Sequence, residues 1–120
     1  MKVSTLRLHT PGLKSNIIQA IEALVAYAEQ HKDRRVHSMK FPEFCGIAGF
    51  PLTTTWEDVV KIMAQTRKAT ASIRVTDTSQ QKKRELLAGS WPVFNFIFMS
   101  HAQISFEVCE YMWEELPTHA

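Results

Sequence analysis

Hydrophobic positions along this chain change period several times, and each change marks a candidate element. Residues 3–8 alternate, with Ser4, Leu6 and Leu8 on one side and Val3, Thr5 and Arg7 on the other. This predicts an opening strand, closed by the turn signal Thr10-Pro11-Gly12. From Lys14 onward Ile17, Ile21, Leu24, Val25 and Ala28 recur at helical spacing. A helix over residues 15–31 follows, capped by Ser15 or Asn16 and ended by the charged run His31-Lys32-Asp33-Arg34-Arg35.

The spacing next predicts an extended piece, Val36 to Lys40, and a short helix, Pro42 to Ala48. Proline at a first helical position costs no needed hydrogen bond, Gly49 supplies a permissive helix end, and Pro51 forbids continuation. Thr53, Thr54 or Thr55 caps a third helix running to Lys68, with Trp56, Val59, Val60, Met63 and Arg67 on one face. The period then shortens to two. Ala71, Ile73 and Val75 alternate with Ser72, Arg74 and Thr76 as a half-buried strand, and Asp77 to Glu85 reads as a polar loop. Trp91 to Met99 reads as a strand apolar on nearly both faces, hence central or at an interface. Ser100 to Gln103 reads as a hairpin connection, Ile104 to Val108 as its partner strand, and Cys109 to Leu116 as a closing short helix stopped by Pro117.

This order predicts an α+β fold and, within it, a winged helix: a helix-turn-helix followed by a β-hairpin wing, with a small antiparallel sheet. At 120 residues the chain fits one domain spanning residues 1–120. The run MKFPEFCGIAGFPLTTTWEDVVKIMAQTRKATASIRV, then GSWPVFNFIFMSHAQISFEVCEYMWEEL, resembles the N-terminal winged-helix domain of plasmid replication initiator proteins. Phe41, Glu43, Phe44, Cys45 and Gly49 carry the first part of the resemblance, and Ile104, Phe106 and Leu116 the last. It implies a domain that dimerises through its sheet and helps grip the DNA backbone. Initiators of that family hold two such domains in tandem, and this chain has room for one. It therefore reads as an isolated domain of a longer initiator or as a stand-alone protein using the architecture for another purpose.

Composition adds bounds. An apolar fraction of 45%, with seven Phe, three Trp and two Tyr, describes a folded globular chain. Fourteen Lys and Arg against twelve Asp and Glu leave a net charge of only +2, so any DNA contact must come from local clusters. Cys45 and Cys109 have no CxxC spacing, and the polar start VSTLRLHT does not read as a signal peptide. A cytoplasmic protein without a membrane span is the expectation.

Candidate chemistry is sparse. Thr54, Thr55, Asp58, Lys61, Gln65 and Lys68 would lie outward on the third helix, where Thr and Gln can bond bases or phosphates and Lys can neutralise phosphate. Glu57 and Asp58 would repel phosphate at the end that usually enters the groove. Lys82, Lys83 and Arg84 form the densest basic run, where a wing would sit, and a solvated loop explains them equally well. Arg34 and Arg35 are a weaker instance. The expected DNA-binding residues are thus Thr54, Thr55, Lys61, Lys68, Lys82, Lys83 and Arg84. The Phe94, Phe96, Phe98 stripe lacks interleaved cations and reads as core or as a sheet-mediated homodimer surface.

The five histidines are scattered, Cys45 reads as a small buried apolar residue, and no phosphate loop or nucleophile elbow appears. No enzyme activity, cofactor or metal is expected. The expected partners are double-stranded DNA and a second copy. The alternatives are a protein-interaction module of phage or mobile-element origin and a transcriptional repressor on the same fold.

Overall fold

The computed structural model describes residues 2–9, 12–77 and 84–113. It is an α+β fold with three helices and two three-stranded antiparallel sheets. In chain order the elements are β1 (Lys2–His9), α1 (Ser15–Gln30), β2 (His37–Lys40), α2 (Phe41–Ala48), α3 (Trp56–Thr66), β3 (Thr70–Asp77), β4 (Arg84–Pro92), β5 (Phe94–Ser100) and β6 (Gln103–Val108). A 3-10 turn at Glu110–Met112 follows. One sheet has the order β1-β3-β4 and the other β2-β6-β5.

The helices form one layer of the core. α1 buries Ile17, Ala20, Ile21, Leu24 and Ala28, the three-and-four spacing of its sequence, against α2, α3 and β6. α2 contributes Phe44, Cys45 and Ala48. α3 contributes Val59, Ile62, Met63 and Thr66. Its buried face therefore lies one step round from the expected one: Val60 and Arg67 are turned out, and Thr66 is turned in. Thr66 tolerates burial because its hydroxyl donates to the Ile62 carbonyl at 2.8 Å.

Opposite the helices, Met39 of β2, Phe94 of β5 and Ile104, Phe106 and Val108 of β6 complete the core. Phe106 is fully buried, with Phe94 and His37 rings 6.2 and 5.3 Å from its own. Gly49 ends α2 in the left-handed conformation, φ 72°, and the Phe50 amide reaches back to the Cys45 carbonyl at 2.9 Å. The Gln19 side-chain amide also donates to the Ala48 carbonyl, so α1 helps close α2.

Four expectations need correction. Residues 91–99 do not form one strand. Pro92 ends β4 and Phe94 begins β5, with Val93 as the bend between the two sheets. Proline has no N–H to continue a ladder, so the chain leaves one sheet there. Nor is β5 central: it pairs with β6 alone, and its register shifts between Phe94 and Phe96. Phe94 is buried while Phe98 is 64% exposed. Finally, residues 84 and 85 lie in β4, across from Asp77 and Thr76, and not in a loop. Of the expected closing helix, residues 110–112 form only the 3-10 turn, and residues 114–116 lie outside the described residues.

The β5–β6 hairpin turns through two residues, His101 (φ 51°) and Ala102 (φ 57°), both left-handed. That is the backbone twist of a two-residue type I′ connection. The Ala102 carbonyl accepts from the Phe41 amide at 2.8 Å, tying this turn to the start of α2. An alanine there is strained by its Cβ, so Ala102→Gly should stabilise the domain by roughly 0.5–1 kcal/mol, after the added freedom of glycine in the unfolded chain. Urea denaturation with an unchanged m-value would check it.

Candidate nucleic-acid interface

The start of α3 is built by its own sequence. Thr55 is the cap: its hydroxyl accepts from the Asp58 amide at 3.1 Å, while the Asp58 carboxylate accepts from the Thr55 amide at 3.0 Å. This reciprocal box satisfies two otherwise unpaired donors of the first turn. The Thr55 amide and hydroxyl, with Lys61 adding to them, hold Asp58 below the ordinary carboxylate range. Asp58 is thus committed to the helix end.

The start of α1 is the opposite. Its N-cap is Lys14, not Ser15 or Asn16, with no side-chain cap and no acidic residue in the first turn. The Ile17 and Ile18 amides reach the Lys14 carbonyl at 3.0 and 3.2 Å, which leaves those of Ser15 and Asn16 without an intrahelical acceptor, and a helix N-terminus carries partial positive charge. Packing of α1 on α3 brings this end beside Lys61. A groove of about 310 Å³ is lined by Gly12, Leu13, Lys14, Asn16, Ile17, Lys61, Ile62 and Gln65. A second, of about 350 Å³, shares Asn16, Lys61 and Ile62 with it and adds Phe50, Pro51, Thr54 and Asp58.

Of the residues expected to touch DNA, Thr54 and Lys61 therefore meet at one surface. Thr55 lies beside them with its hydroxyl engaged in the cap. Lys68 is exposed in the turn after α3 and lines neither groove. Lys82 and Lys83 lie outside the described residues. Arg84 opens β4, six ladder steps from Ala71, about 20 Å along the ribbon. That ribbon belongs to the β1-β3-β4 sheet, so Arg84 is not at the turn of the β5–β6 hairpin. Lys14 and Asn16 were missed, although a lysine before an acid-free first turn was a readable sign.

Elsewhere, burial pushes the Cys45 thiol up, which keeps it protonated. Among the described residues no group of three or more His, Cys, Asp or Glu could hold a metal ion, and no helix is long and apolar enough to cross a membrane.

The capping box carries a pH dependence with a definite sign. A carboxylate whose folded pKa is depressed contributes stability above its unfolded pKa and loses it as pH falls through the folded value. Thr55→Ala should therefore cost about 1 kcal/mol at neutral pH. Asp58→Asn should flatten the loss of stability below the ordinary carboxylate range, read by urea denaturation across an acid pH series.

Comparison with protein-family models, with characterised proteins and with solved structures found no match.

Proposed function

We propose that this domain is a winged helix that grips the backbone of duplex DNA where the start of α1 meets α3, as a dimerising replication-initiator-type domain. The sheet order β2-β6-β5, with α2 and α3 between β2 and the hairpin, supports the winged-helix reading. On it the wing is the β5–β6 hairpin, and β1-β3-β4 is an added ribbon.

The observation that carries the DNA reading is the convergence of Lys14, Lys61, Thr54 and the uncapped end of α1 on adjoining grooves. Lysines and helix amides are what phosphate oxygens bond. Base reading by α3 is not proposed: Glu57 is exposed in its first turn and Asp58 is bound into the cap, so the groove-entering end is acidic. Binding of this kind is salt-sensitive and indifferent to sequence.

A short duplex titrated by fluorescence anisotropy at rising salt tests it. Lys14→Ala and Lys61→Ala should each lower the log–log salt slope by about 0.9 and weaken all sequences equally. Absence of binding at low salt by the folded protein would sink the DNA reading.

A second reading, a protein-interaction module, is favoured by the exposed Phe98 beside a groove lined by Val60, Met63, Ala64, Arg67, Ile97 and Met99. That groove adjoins the open edge of β5, which also suits the proposed sheet-mediated dimer. Phe98→Ser should abolish self-association in sedimentation while leaving the domain folded and Lys61 free to bind duplex. Loss of self-association in a chain that never bound DNA would favour the second reading.

A further inference from the structure

The other end of α1 holds a different site. α1 has 16 residues, so its ends are about 24 Å apart. At its C-terminal end a cavity of about 380 Å³ has Lys32, Arg34, Arg35, His37, Glu107, Glu110 and Trp113 in its lining. Lys32 Nζ lies 5.0 Å from the centre of the Trp113 ring, which holds one ammonium at the rim. Arg35 Nε and Nη2 donate to Glu107 Oε1 at 3.1 and 3.0 Å, so Glu107 is already neutralised. Arg34 Nε is 3.9 Å from Asp33 Oδ2, a loose and exposed pair. Among the described residues the lining holds three cations and two carboxylates, and the Arg35–Glu107 pair leaves Lys32 and Arg34 facing Glu110.

The second observation is His37. It is only 4% exposed, it lines this cavity, and its Nδ1 is buried with no hydrogen-bond partner. Buried polar atoms without partners are rare enough to demand a reason. Its neighbours supply none: Tyr27 of α1 and Phe106 of β6 pack on it by their rings, 5.8 and 5.3 Å away.

From this arrangement we infer that the cavity binds a phosphate group, free or as a terminal phosphomonoester, held by Lys32 and Arg34 with the His37 ring in the wall beside it. Two cations at separate positions suit an anion with more than two oxygens, and the Arg34 guanidinium fork matches phosphate geometry. A backbone diester in duplex keeps its free oxygens on a broad cylinder, whereas a terminal phosphomonoester can enter a cavity of this size. The site is thereby distinguished from the DNA surface at the other end of α1.

Burial is the main reason His37 sits below the usual histidine range, with His31 and Arg34 adding to it and Asp33 opposing. Glu107, the remaining charge of β6 at this cavity, is held by Arg35. A bound phosphate puts negative charge beside the ring and raises that pKa, which a merely structural histidine would not show.

The test is NMR of the histidine and indole side chains during titration with inorganic phosphate, with adenosine monophosphate and with a short duplex, at constant ionic strength. Inorganic phosphate and the monophosphate should shift His37 and Trp113 saturably at millimolar concentration and raise the His37 pKa. Lys32→Gln and Arg34→Gln, both exposed and tolerable to the fold, should each weaken this about tenfold, while Lys61→Ala leaves it unchanged. No saturable shift of His37, or one that both variants leave intact, would overturn the site. Shifts produced by duplex but not by the two small phosphates would overturn its assignment to a terminal phosphate.

Discussion

Val93 is the hinge on which both sheets depend. It is fully buried, its amide donates to the Ala69 carbonyl at 3.0 Å, and its carbonyl accepts from Cys109 at 2.7 Å. Those two bonds join the end of the α3 turn, the passage from β4 to β5, and the end of β6. Pro92 before it cannot donate, so the ladder of the first sheet ends and the chain is released into the second. A buried peptide group must find partners for its donor and acceptor, and here they fix how the ribbon β1-β3-β4 stands on the domain. Ala71 and Trp91, paired at the ribbon's base, enter the same core.

That constraint explains what the chain's pattern conceals. Helices are legible because one face must be apolar every three or four residues, and α1 shows it from Ile17 to Ala28. The turn at Gly49 is legible because only a residue without a Cβ takes φ 72° at ease, and a Cβ there would also meet Gln19 at 3.3 Å. The face of α3 is less so, since a threonine at position 66 is polar by composition and buried through a bond to its own helix. Residues 91–99 are apolar on nearly both faces, and such a run says nothing of which sheet a strand joins. Arg84 to Pro92 escapes altogether because Leu86, Leu87 and Ala88 run together without period.

Site residues divide along the same line. The Thr55-x-x-Asp58 spacing is a local device, and local devices can be read from a sequence. Thr54 and Lys61 could be named as outward polar residues of one helix. Their meeting with Lys14 and Asn16 is tertiary: it arises because α1 crosses α3 near its first turn, and residues more than thirty positions apart then share one groove. The basic run at 82–84 shows the converse. It is conspicuous in sequence, yet Arg84 starts a strand in the sheet that does not contain the β5–β6 hairpin.

The two ends of α1 also differ in how their backbone charge is met. At the C-terminal end the last carbonyls are already served: His31 Nδ1 donates to the Tyr27 carbonyl at 2.8 Å, with the two rings stacked 4.2 Å apart. Lys32, Arg34 and Arg35 lie beyond the last turn, where the helix dipole has faded, so the helix does not require them. Arg35 is taken by Glu107, and Lys32 and Arg34 remain around a cavity whose buried imidazole lacks a partner. At the N-terminal end no side chain caps the helix, and Lys14 and Lys61 line the groove beside it, with Asp58 of the adjoining groove bound into its own cap. Stability alone would place Ser or Asp before α1 and needs no basic cluster beyond its last turn. On the proposed readings both ends of α1 take an anion, and the helix holds them about its own length apart, so two phosphate-bearing ligands would not compete for a residue.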